Sequence, residues 1–182
     1  MKKLLSVSGL ILLLLVGCQG AERGTLDTSK LKEIEMSDVT EEQKKNMPIT
    51  YEAASLEDGL AALPFDMTLP DELPFNAMPF QPPVINDLTH DGKKLMAEFR
   101  TFSENKDENI ILMIKANYPV SDSQMPNSEE VELKNSVAGE YLGNALSFRR
   151  GDVSYDVVYV NKNIPVEQHK EEIMQIANQI ID

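Results

Sequence analysis

The side chains that could do covalent or acid–base chemistry in this sequence are few and scattered. There is one thiol, Cys18, and there are two imidazoles, His90 and His169. A hydrolase needs a nucleophile beside a base, and these two histidines are the bases on offer. His90 sits in a His-Asp-Gly stretch that reads as a turn. His169 falls on the apolar stripe of a helix, the place of a half-buried boundary residue. No Gly-x-Ser-x-Gly elbow occurs. His169 and Glu172 stand at i, i+3, which can put two metal ligands on one helix face, but no second ligand pair follows. "DGKK" and "NKDEN" lack the ligand spacing of a calcium loop. With 30 Asp and Glu residues, a glycosidase pair can be drawn almost anywhere, so abundance marks no site. Arg150-Gly151-Asp152 reads as a hairpin turn. The methionines sit beside other apolar residues as core filler. The expectation is a protein that is not an enzyme, with no catalytic residue, metal or cofactor. One apolar cluster stands apart. Phe75, Pro79 and Phe80 either line a groove for a peptide or lipid, or seal one edge of the core.

The lone thiol has a context of its own. Lys2 and Lys3 open the chain, and residues 10–16 are continuously apolar. That run is too short to span a membrane, which takes about 20 residues. It has the length of a secretory signal core. It ends in Leu15, Val16, Gly17 and Cys18, a tetrad that resembles a bacterial lipobox. The resemblance implies that diacylglycerol alkylates the Cys18 thiol and that cleavage after the small Gly17 makes Cys18 the first mature residue. The competing reading is an ordinary secretory leader followed by an incidental cysteine. A single exported thiol invites unwanted disulfides, and lipidation removes that hazard. The expected location is the extracytoplasmic face of the cell membrane, held by lipid.

Charge narrows the partners. Removing Lys2 and Lys3 with the leader takes the formal net charge from −13 to −15. Nucleic-acid binding needs clustered Lys and Arg, so it is not expected, and an acidic body is repelled by anionic lipid. Residues 1–17 read as the signal peptide. Residues 18–50 read as the lipidated cysteine and a flexible acidic tether, and a random coil of that length spans on the order of 30 Å. Residues 51–182 carry every Phe and Tyr and read as one domain with one core.

Within that domain, Ser55 and Asp58 have the spacing of a capping box. Leu56, Leu60 and Leu63 follow on one helical face, and Pro64 closes the helix. Prolines at 70, 74, 79, 82 and 83 exclude a central strand, so Phe65, Leu69, Leu73, Phe75 and Phe80 are expected to pin an extended, edge-like crossing to the core. Then come strand signals. "KLMAEFRTF" alternates, "IILMIKANY" reads as a central strand buried on both faces, and "VEL" starts a short strand. "VAGEYLGNALSFRRGDVSYDVVYV" holds two or three strands with a turn at 151–152. Pro165 opens a last helix with Val166, His169, Ile173, Ile176, Ala177 and Ile180 on one stripe. The fold class is α+β: an antiparallel sheet of about five or six strands flanked by an N-terminal and a C-terminal helix.

The spacing Phe65-x4-Pro70-x2-Leu73-Pro74, after a Ser-Leu-Glu helix start, resembles an uncharacterised extracytoplasmic domain of Firmicute lipoproteins and anti-sigma-factor-like membrane proteins. "VAGEYLG", "VSYDVVYV" and the Ile-rich last helix extend the likeness over roughly residues 52–181. It implies a noncatalytic sensory, binding or accessory domain outside the membrane; the expected partner is an envelope protein or an apolar ligand. The alternatives are a carrier or sensor of an apolar ligand between sheet and helix, and an unrecognised hydrolase.

Overall fold

The computed structural model describes residues 24–35, 37, 39–120 and 125–181. It is α+β, built on one antiparallel sheet of nine strands. Strands β1 (Leu31–Glu33), β2 (Ile49–Ala53), β3 (Val84–Asp87), β4 (Leu95–Phe102) and β5 (Ile111–Tyr118) lie side by side in chain order. The chain then crosses to the far edge and returns through β6 (Glu129–Glu132), β7 (Ala138–Leu142), β8 (Ala145–Arg150) and β9 (Val153–Val160). The return brings β9 against β5, for a strand order of 1-2-3-4-5-9-8-7-6. Among the described residues three α-helices interrupt or follow the strands: α1 (Glu41–Lys44), α2 (Leu56–Ala62) and α3 (Val166–Ile181).

Period-two alternation decides which face is covered. Val153, Tyr155, Val157 and Tyr159 of β9 are buried, as are Leu95, Ala97, Phe99 and Thr101 of β4. Register sets these residues in common rows. Ala97, Ala116, Tyr155 and Phe148 stand opposite one another across four strands, so small side chains on β4 and β5 adjoin the large rings of β9 and β8. Ile173, Ile176, Ala177 and Ile180 of α3 close over this face and are fully buried. They form one contiguous core with Ala62 of α2.

α2 starts as its sequence predicts. The Asp58 amide donates to Ser55 Oγ at 3.1 Å, and the Ser55 hydroxyl donates to the Asp58 carboxylate at 2.9 Å. The proline-rich segment is edge-like. Its Met78 and Gln81 amides donate to Phe102 and Arg100 carbonyls of β4 at 2.8 and 2.9 Å. Pro79, which has no amide to give, falls between those positions, and Pro82 and Pro83 follow Gln81.

Three expectations need correction. First, the sheet has nine strands, not five or six. β4 to β9 account for six, and the additional strands β1, β2 and β3 precede them. Second, the sheet reaches into the expected tether. Leu26 is buried, its amide donates to the Gly92 carbonyl at 2.9 Å, and Leu31 pairs with Ala53. Lys30 bonds Asp58 at 2.8 Å, and that ammonium, with the Ser55 hydroxyl, holds the Asp58 carboxyl below the usual carboxylate range. Leu26 and Leu31 are too widely spaced among polar residues to show a period, and β1 is stabilised by pairing with β2 rather than by its own pattern. Third, β5 is fully buried on one face alone. Leu112, Ile114 and Ala116 are inside, while Ile111, Met113, Lys115 and Asn117 are half-exposed.

Candidate functional site

The opposite face of the sheet carries the outward half of each alternation, in which polar and apolar residues are mixed. One transverse row crosses all nine strands in register: Lys32, Glu52, Val84, Glu98, Lys115, Asp156, Ser147, Glu140 and Glu130. Val84 is the single apolar member. Alternation puts these residues on the same side of nine neighbouring strands, which lie about 4.8 Å apart.

Their interactions tie the row together. Lys115 Nζ lies 3.7 Å from Glu98 Oε2, and Arg100 pairs with the other oxygen of Glu98. Asp156 accepts hydrogen bonds from the Ser147 hydroxyl and from Asn117 Nδ2, the latter at 3.1 Å. Glu140 accepts the Met125 amide at 2.8 Å. Over β6 to β9 the face forms a cleft of about 660 Å³ lined by Glu130, Glu140, Ser147, Arg149, Ser154 and Asp156, among others. One row toward the far end the face turns apolar, through Met113, Val158, Ala145 and Leu142. The surface therefore offers carboxylates and hydroxyls beside aliphatic side chains, a recognition chemistry. Neither histidine lies on it.

Both histidines are held elsewhere. His90 is in the loop after β3, with Nε2 2.7 Å from the Met47 carbonyl. His169 is buried on the core side, with Nε2 2.7 Å from the Tyr159 carbonyl and its ring stacked on Tyr159. Glu172, three residues on, bonds the Tyr159 hydroxyl at 2.8 Å and Gln168 at 2.9 Å. The i, i+3 pair thus points to separate partners. Burial pushes the Tyr159 hydroxyl far above the usual phenol range, so it serves as a hydrogen-bond donor. Among the described residues no group of three or more His, Cys, Asp or Glu side chains could hold a metal ion.

Phe75 stacks on Tyr159 with ring centroids 5.9 Å apart. Phe80 packs half-buried against the core, and Pro79 is exposed. The three line a depression of about 730 Å³ together with Leu73 and Glu104. Arg150-Gly151-Asp152 is a hairpin turn between β8 and β9, with Gly151 at φ +58°. Arg150 Nη1 donates to the Ile180 carbonyl at 2.9 Å. Cys18, with Leu15, Val16 and Gly17, lies outside the described residues.

No family model, curated protein or solved structure matches this chain. The open face is therefore read on its own geometry. Among the described residues no helix is long and apolar enough to cross a membrane. In the sequence the apolar half of each strand marks the core, while Glu98, Lys115 and Asp156 carry no mark of a shared site. The signal was present as polar residues at alternate positions, but their common row depends on register.

Proposed function

We propose that this chain is an extracytoplasmic lipoprotein anchored through Cys18, and that its sheet domain binds another envelope component without catalysing a reaction. The observation that carries the binding role is the polar row and cleft on the open sheet face. A half-exposed face of mixed carboxylate, hydroxyl and aliphatic chemistry has the makings of a recognition surface. The leader ending at Cys18 carries the location. The filling of the space beneath α3 by Ile173, Ile176 and Ile180, all fully buried, favours a closed-core binding domain over a carrier with an apolar ligand between sheet and helix.

A two-arm experiment in growing cells tests both halves. A fatty-acid analogue is expected to label the wild-type chain and not Cys18→Ala. A photo-crosslinking residue at Ser154 on the open face is expected to give an adduct that the same residue at Gln175 on α3 does not. Label retained by Cys18→Ala removes the anchor assignment, and equal adducts from the two positions remove the face assignment.

A further inference from the structure

We infer that the end of the sheet bearing the 88–94 loop faces lipid headgroups, with Leu88, Lys93 and Lys94 at the contact. This inference rests on the anchoring reading above and adds to it a direction for the whole domain.

The first support is reach. The described residues begin at Gly24, which lies beside the Tyr118 hydroxyl; a methyl group on Gly24 would sit 3.6 Å from it. Tyr118 ends β5 and pairs with Leu95, the first residue of β4. The Leu26 amide then bonds the Gly92 carbonyl. The N-terminal segment therefore enters at the end of the sheet where β4 starts and β5 stops. From Cys18 to Gly24 is six Cα steps, roughly 20 Å at full extension. An eight-residue strand such as β4 runs about 24 Å. With the opposite end against the bilayer and the strands upright, residues 18–24 would have to run at about their full extension, so the end where Gly24 lies is the one the anchor reaches without stretching.

The second support is the chemistry of the loop. Asp87, 3% exposed, gathers the Thr89, His90 and Gly92 amides at 3.1, 3.0 and 2.8 Å. The Leu88 amide donates to the Lys94 carbonyl at 2.8 Å. The loop is thus a fixed scaffold. Leu88 is 40% exposed, as is Ile34, while Met78, Leu142 and Val166 are more exposed, so the lysines beside Leu88 rather than its exposure alone distinguish this end. Lys93 and Lys94 are exposed beside it. Asp91 is engaged by the Thr89 hydroxyl at 2.7 Å and the Lys93 amide at 3.2 Å, with the Lys93 ammonium 3.8 Å away. An aliphatic tip flanked by lysines suits the headgroup boundary, where the ammonium meets phosphate and the stem stays apolar. α1, joined to the loop through Met47 and His90, brings Lys44 and Lys45 together with Glu41 and Glu42. The opposite end presents Glu104, Asp107 and Glu108, with Lys106 among them.

The test uses the lipidated full-length protein, in which Cys18 has no free thiol. Lys93→Cys, Lys94→Cys and, at the opposite end, Asn144→Cys each receive a fluorophore. The proteins are reconstituted on phosphatidylglycerol and phosphatidylethanolamine vesicles bearing a headgroup-attached quencher. The expected result is quenching several-fold stronger at Lys93→Cys and Lys94→Cys than at Asn144→Cys. Equal quenching, or stronger quenching at Asn144→Cys, with the protein floating on the vesicles, overturns the orientation alone. Failure of the protein to float with the vesicles overturns the anchoring reading and the orientation with it.

Discussion

Gly59 shows how tertiary contact reverses a local rule. In an exposed helix, replacing glycine by alanine stabilises by about 1 kcal/mol. Gly59 is in α2 and is buried. A Cβ there would meet Pro83 Cγ at 2.2 Å and the Ala53 Cβ at 3.1 Å. The proline ring cannot swing aside as a long side chain would. Gly59→Ala is therefore expected to destabilise by about 1–3 kcal/mol, the usual cost of overpacking, measured as a lower urea midpoint at unchanged slope. A raised midpoint would show that α2 does not lie on Pro83. His169 carries a related lesson. Its position on an apolar stripe is a packing feature: the ring stacks on Tyr159 at 4.9 Å, and Tyr159 in turn stacks on Phe75.

At the scale of elements, α3 is both the lid on the core and a clip for its neighbours. Gln179 bonds the backbone of Glu72 in both directions, accepting its amide at 3.0 Å and donating to its carbonyl at 2.7 Å. Asn178 accepts the Lys134 amide at 2.7 Å. In this way the helix fixes the crossing at Glu72, ahead of the stretch in which Met78 and Gln81 bond β4. Ile176 is fully buried and Gln175 is exposed. Ile176→Ala is expected to cost about 2–5 kcal/mol, and Gln175→Ala no more than about 0.5 kcal/mol. Thermal melts of both variants decide it. Matching midpoints would mean that α3 is not part of the core.

For the molecule as a whole, the consequential finding is where the domain begins. Residues 24–50 supply Leu26, β1, α1 and the start of β2. A chain beginning at Tyr51 loses the β1 pairing, the Leu26 contact and the first residues of β2. Leu26 alone is worth about 2–5 kcal/mol if truncated to alanine. The shortened chain is thus expected to melt well below the full mature chain, and a chain beginning at Gly24 is expected to match it. Equal melting of the chain from Tyr51 would show that the N-terminal segment contributes nothing to the fold.

Particular elements show how far the chain could be read without its fold. β4, β9 and α3 were legible because alternation and the 3.6-residue stripe are local, and burial on one side leaves them in any stretch long enough to repeat. The Ser55 cap was legible because its partner, Asp58, lies three residues away. The lipobox-like tetrad is likewise a property of contiguous residues. β1 and β3 were not legible: three or four residues cannot display a period, and they are strands because β2 and β4 offer unpaired edges. The polar row was also beyond reach. Glu98, Lys115, Asp156 and Ser147 are separated by loops of different lengths, and only hydrogen-bond register sets them side by side. Which face stays open was decided by the connections, since α3 and the 64–83 crossing pack on the same side of the sheet. Alternation, caps and core composition are set by neighbours a few residues apart and so are written along the chain. The row, the open face and the end of the sheet where Leu26 docks came from contacts between distant segments, which exist only once the sheet is assembled.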